Sequence, residues 1–116
     1  MQTLLAAIIG HLVGDYLLQN DWMALNKKKR TLPCAVHCGL WTLAVCAFAG
    51  WWAWWVPLVL FAAHFAQDRT GLVVWWMTRA NRQAQFVSGP CAPWSIIVVD
   101  NVWHIVSLYA VARFLG

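Results

Sequence analysis

Glutamate is absent from the 116 residues, and aspartate occurs only four times. Charged side chains make up 10% of the chain against 62% hydrophobic ones, and there are ten tryptophans. A soluble domain of this length does not normally carry such a composition. Runs apolar enough to cross a bilayer recur along the sequence, which points to membrane insertion. The four cysteines (Cys34, Cys38, Cys46, Cys91) contain no C-x-x-C pair, and three fall in one apolar segment. That speaks against a disulfide framework and leaves small apolar packing as their default use. The first apolar run lacks a basic n-region and a small-residue cleavage site, and it contains His11 and Asp15. It is expected to be a mature membrane span, not a cleaved signal. No internal repeat or low-complexity tail is visible. Most of the net charge of +4 lies in Lys27-Lys28-Lys29-Arg30. Without a basic groove and interleaved aromatics around it, this run argues against a nucleic-acid partner. It reads as a topology signal or an anionic-lipid contact.

The pattern predicts an all-α fold. One integral membrane domain, residues 1–116, forms a four-helix transmembrane bundle with spans at about 2–20, 33–50, 56–78 and 93–114. Pro33 suits the first turn of the second helix. The stretch "WWAWWVP" and the pair Trp75-Trp76 resemble interfacial aromatic belts. Lys27 to Arg30 fall between helices one and two, Arg79 and Arg82 between three and four, and the middle connection is uncharged. The positive-inside rule then makes the basic loops cytoplasmic and leaves both termini outside, with Arg113 in mild dissent.

Among the four histidines and four aspartates, seven lie within predicted spans: His11, Asp15, His37, His64, Asp68, Asp100 and His104. Only Asp21 lies outside. "HLVGD", "HFAQD" and "DNVWH" each set two of them four apart, on one helical face. At about 1.5 Å per residue, all seven fall between the cytoplasmic interface and just past the midplane. The helices alternate in direction, so nothing forced that agreement.

An ionised aspartate at that depth costs several kcal/mol unless compensated. His–Asp pairing as polar glue between helices accounts for one such pair more readily than for three and a fourth histidine. A shared divalent cation accounts for the set. Imidazole and carboxylate are ligands of Zn, and also of Mn, Fe or Ni, and facing helices of a bundle can build such sites. All seven residues are candidate ligands. The surplus over one tetrahedral Zn suits two ions, or one ion with a carboxylate behind each imidazole. Cys34 and Cys38 flank His37 in "CAVHC", but histidine and aspartate already suffice. The adjacent carboxylates argue against a haem pair. Arg69 is expected to snorkel or to offset Asp68. Gln67, Asn101 and Ser107 read as interhelical hydrogen-bonding groups before they read as donors to the ligands. Gln19 and Asp21 suit capping and solvation at the inner interface.

The stretch "HLVGDYLLQNDWMALNK", with "HFAQD" and "DNVWH" in the same order, resembles a family of small bacterial and phage membrane proteins known as domain of unknown function 3307. The matching positions are His11, Asp15, Gln19, Trp22, His37, His64, Asp68, Asp100 and His104. The resemblance implies a bacterial inner-membrane protein and brings no activity with it. More distantly, the H-x-x-x-D pairs are similar to ligand pairs of zinc-dependent phospholipase C, related single-strand nucleases and membrane-bound metal-dependent hydrolases. They are also similar to the transport site of cation diffusion facilitators.

Three functions follow as expectations. A metal-dependent hydrolase would use metal-activated water on an anionic or lipid-linked substrate, with Asp100 or His37 as general base. A metal-ion transporter would use the same residues as a transient site, within a homo-oligomer. A non-catalytic interaction protein would keep a closed, structural ion.

Overall fold

The apolar run that opens the chain forms helix α1, Gln2–Leu12, which widens into a π-helical turn over Val13–Leu17. The Leu18 amide closes that turn on the Val13 carbonyl at 3.0 Å. A π turn inside an apolar helix often marks a functional position, and this one contains Asp15. The computed structural model describes residues 2–115, and every regular element among them is helical.

The basic connection is more ordered than its charge implies. Asn20 accepts a hydrogen bond from the Met23 amide at 3.0 Å and so caps a short helix, α2, Asp21–Asn26. Helix α3, Thr31–Ala49, then runs to Gly50, whose φ of +70° is the left-handed conformation that ends helices cheaply on glycine. Helix α4 is Trp55–Arg69, α5 is Leu72–Trp75 with a π turn over Trp76–Ala80, α6 is Ala84–Ser88, and α7 is Trp94–Leu115.

Two of these differ from the sequence expectation. The segment expected as one helix over 56–78 is broken at Thr70, which is extended at φ −114° and ψ 172°. Lys28 and Arg69 explain the break. Lys28 Nζ donates to the carbonyls of Gln67, Asp68 and Thr70 at 3.4, 3.1 and 3.1 Å, a cationic cap on the end of α4. Arg69 in turn donates to the Lys28 carbonyl at 2.7 Å, so it ties down the basic loop instead of snorkelling. The connection between the expected spans 56–78 and 93–114 likewise contains a helix, α6. Among the described residues, two helices, Thr31–Ala49 and Trp94–Leu115, are long and apolar enough to cross a membrane. Helix α4, at roughly 22 Å, falls short of the ~30 Å hydrocarbon thickness.

Helices α1 and α3 approach closely because of two glycines four apart. A Cβ on Gly10 would lie 2.8 Å from the Ala44 carbonyl oxygen and the Val45 Cα, and one on Gly14 would lie 2.9 Å from the Trp41 Cα. This is small-xxx-small packing, which lets two helix backbones approach closely. An apolar cluster that includes Ala7, Trp41, Val45, Val56, Leu60 and Leu108 fills the bundle. Polar groups are buried beside this cluster while many large apolar side chains lie at the surface. All four histidines, Asp15, Asp68 and Gln67 are buried, whereas Leu5, Leu17, Leu43, Leu58, Val98 and Phe114 are exposed.

Candidate metal centre

Helices α1, α3, α4 and α7 bring six of the seven candidate groups to one level of the bundle. At the centre, His37 Nε2 and His64 Nε2 lie 3.0 Å apart. Asp68 Oδ2 is 3.0 Å from each of them. Asp15 Oδ1 is 3.1 Å from His37 Nε2 and 3.5 Å from His64 Nε2. Each imidazole nitrogen has one in-plane direction, occupied by a lone pair or by one N–H. That single direction faces a second imidazole and two carboxylates together, and hydrogen bonds cannot satisfy such a set.

The spacing supplies a fit test for a cation. Ligand atoms 2.0–2.2 Å from a tetrahedral zinc lie about 3.3–3.6 Å from each other. Of the five separations above, that between Asp15 and His64 matches at 3.5 Å and the other four, at 3.0–3.1 Å, fall short by a few tenths of an ångström, so a small outward movement of the ligands fits the ion. Nδ1 of His37 and of His64 has no hydrogen-bond partner among the described residues. Ring orientation is therefore set by what Nε2 faces and by packing. His64 packs against both Trp41 and His104, each with a centroid separation of 4.0 Å.

A second group adjoins the first through Asp68. Its other oxygen, Oδ1, is 3.4 Å from His104 Nε2, which is 3.3 Å from Asp100 Oδ2. Gln67 Nε2 donates to Asp100 Oδ1 at 2.9 Å and to the Asp100 carbonyl at 2.8 Å. Lys27 Nζ pairs with Asp68 Oδ2 at 3.2 Å. Burial opposes the Lys27 charge, but the carboxylates of Asp68, Asp15 and Asp100 outweigh it and raise its pKa above the ordinary lysine value. A cavity of about 140 Å³ reaches Asp68 and Asp100, with Lys27, Lys28 and Thr70 on its wall.

His11 stands apart from both groups. The indole N–H of Trp41 donates to His11 Nδ1 at 3.0 Å, so the proton of a neutral His11 is on Nε2, which donates to Asn101 Oδ1 at 2.9 Å. Both nitrogens are thus engaged, and Asp15 Oδ2 is 3.5 Å from Nδ1. Of the two general-base candidates, Asp100 lines the cavity and His37 does not. Cys34 and Cys38 face each other at 3.9 Å and belong to neither group. Gln67 and Asn101 bond to site residues, whereas Ser107 bonds within its own helix, to the Trp103 carbonyl. Trp41 and Lys27 were not among the expected site residues. The GxxxG pattern facing Trp41 was the available clue to the first, and the basic run from Lys27 to Arg30 marks the second without singling it out from its neighbours.

The fold and the site define an all-helical protein whose buried histidine and aspartate side chains are placed to hold a metal ion. The family model described as "Protein of unknown function (DUF3307)" matches residues 3–116, and the chain belongs to that family. No curated protein and no solved structure matches it.

Proposed function

We propose that the protein is a four-span membrane metalloprotein. Both termini lie outside and the basic connections lie in the cytoplasm, as in a bacterial inner-membrane protein. Asp15, His37, His64 and Asp68 hold one divalent ion, and the activity is metal-dependent hydrolysis of a lipid or phosphoester substrate. The observation that carries the metal reading is the convergence of two Nε2 and two carboxylate oxygens on one point. The N₂O₂ set with near-tetrahedral spacing favours zinc, and the same donors accept Mn, Fe or Ni. His11 is a positioning residue in this reading, since both its nitrogens are engaged elsewhere.

The inverted polarity supports membrane embedding: a shell of exposed leucine and valine around buried imidazole suits lipid. Helix α1 and its π turn are short for a span, as is α4, and local bilayer thinning accommodates such lengths at modest cost.

A closed four-ligand cage alone would equally suit a structural ion in an interaction protein. The cavity at Asp68 and Asp100 favours chemistry. Transport is the weaker alternative, because the apolar cluster from Trp41 to Val111 fills the bundle beyond the site. A bound ion would supply Lewis-acid polarisation of a phosphoryl or acyl oxygen.

Metal analysis of detergent-purified protein tests the first part. At least one ion per chain is expected in the wild type, with affinity lowered at least ten-fold in His64→Ala. Stoichiometric metal in neither protein would overturn the metal reading. Absence of turnover on lipid phosphoesters with every added divalent metal would overturn the enzyme reading alone.

A further inference from the structure

We propose that Asp68, Asp100 and His104 form a second cation site, filled only together with a phosphate-type oxyanion that enters through the cavity beside Lys27. The inference rests on the metal-ion reading above. It starts from the two oxygens of Asp68, which face different groups: Oδ2 meets His37 and His64, and Oδ1 meets His104. A carboxylate so shared is placed to bridge two ions. The second group offers three ligand atoms lying within 4.8 Å of one another. Two of its separations, 3.4 and 3.3 Å, match those of a tetrahedral site. The first group has four protein ligands and is closed. The second has three and borders the cavity, the arrangement that leaves a coordination position for an outside ligand.

Charge decides when the second site fills. The three carboxylates at the centre carry three negative charges, and Lys27 supplies one positive charge in contact with Asp68. One divalent ion therefore brings the buried group to neutrality. A second would leave two positive charges uncompensated in a medium of low dielectric, where unpaired charge is costly. A doubly charged oxyanion removes that excess. The cavity is several times the ~30 Å³ that a water molecule takes up in the liquid, and Lys27 and Lys28 on its wall suit a phosphoryl group. Lys28 is also tied to the end of α4, so Lys27 is the ammonium with most bearing on the balance. The ligand class is thus a phosphomonoester or inorganic phosphate, whether free or on a lipid.

The test counts zinc per chain in purified protein equilibrated with buffered zinc. It is run in neutral-lipid nanodiscs alone, with inorganic phosphate, and with phosphatidate added to the lipid. One ion is expected without the anion and two with it. A response to phosphatidate only assigns a lipid headgroup, and a response to phosphate assigns a free anion; either supports the site. Asp100→Asn is expected to hold at one ion in all three conditions. Lys27→Met, which leaves one negative charge unbalanced, is expected to take the second ion at least ten-fold more tightly without any anion. One ion in the wild type under every condition would overturn this inference and leave the first site standing, whereas no ion under any condition would overturn both. Two ions in Asp100→Asn, or an unchanged second affinity in Lys27→Met, would also overturn it.

Discussion

At the level of single residues, the histidines and aspartates stand out because so apolar a chain has little other use for them, and a spacing of four declares a shared helical face. Their individual parts do not follow from spacing. His11 and His64 occupy equivalent places in two H-x-x-x-D pairs, yet one faces Asn101 and Trp41 and the other faces His37 and Asp68. Partners thirty or ninety positions away decide that difference. Trp41→Phe separates the roles. It keeps most of the apolar volume but leaves His11 Nδ1 without its donor, a loss of about 1–3 kcal/mol. The expected result is a lowered thermal unfolding midpoint in detergent with metal content unchanged. Loss of metal on the scale of His64→Ala would show instead that the indole N–H is needed to assemble the cage.

Between elements, close approach and helix ends matter more than hydropathy. Apolar runs give the existence of α1, α3, α4 and α7, but hydropathy cannot show where α4 stops, because Leu72 to Trp76 continue the run. The stop is made by a lysine forty residues earlier, which is why it was not legible. Lys28→Met should cost about 0.5–1.5 kcal/mol through the lost carbonyl bonds, again read as a lower unfolding midpoint. An unchanged midpoint would mean that the α4 end is fixed by Thr70 alone, whose hydroxyl bonds back to the Ala66 carbonyl. The glycines give a sharper contrast. Gly14→Ala puts a methyl group against the Trp41 backbone, forcing α1 away from α3 at a cost of about 1–3 kcal/mol. Asp15 moves with that segment, so metal affinity should fall as well. Gly39→Ala meets nothing within 4 Å among the described residues and should raise stability by about 0.5–1 kcal/mol. Equal effects at both positions would mean that helix propensity, not the α1–α3 contact, governs the pair.

For the whole molecule, the proposed membrane setting rests on the burial of all four histidines, Asp15 and Asp68 together with the exposure of leucines such as Leu5, Leu17, Leu43 and Leu58. Composition announces it, but the sidedness of the membrane rests on the basic connections alone. Cys91 offers a native probe of that sidedness. It is exposed in the connection before α7, whereas Cys34, Cys38 and Cys46 are buried. A membrane-impermeant maleimide should therefore label Cys91 in inverted vesicles and leave it unlabelled in intact spheroplasts. Trp54→Cys, at a position 80% exposed between α3 and α4, should give the opposite pattern. Exchange of the two patterns would reverse the orientation and turn the cavity beside Lys27 away from the cytoplasm. Labelling of both positions from one side would mean that the segment from α4 to α5, which separates them, does not cross. The polar contacts of His64 with Asp15 and Asp68 would then have to be explained at a membrane surface, where water supplies the compensation that a shared cation would supply in lipid.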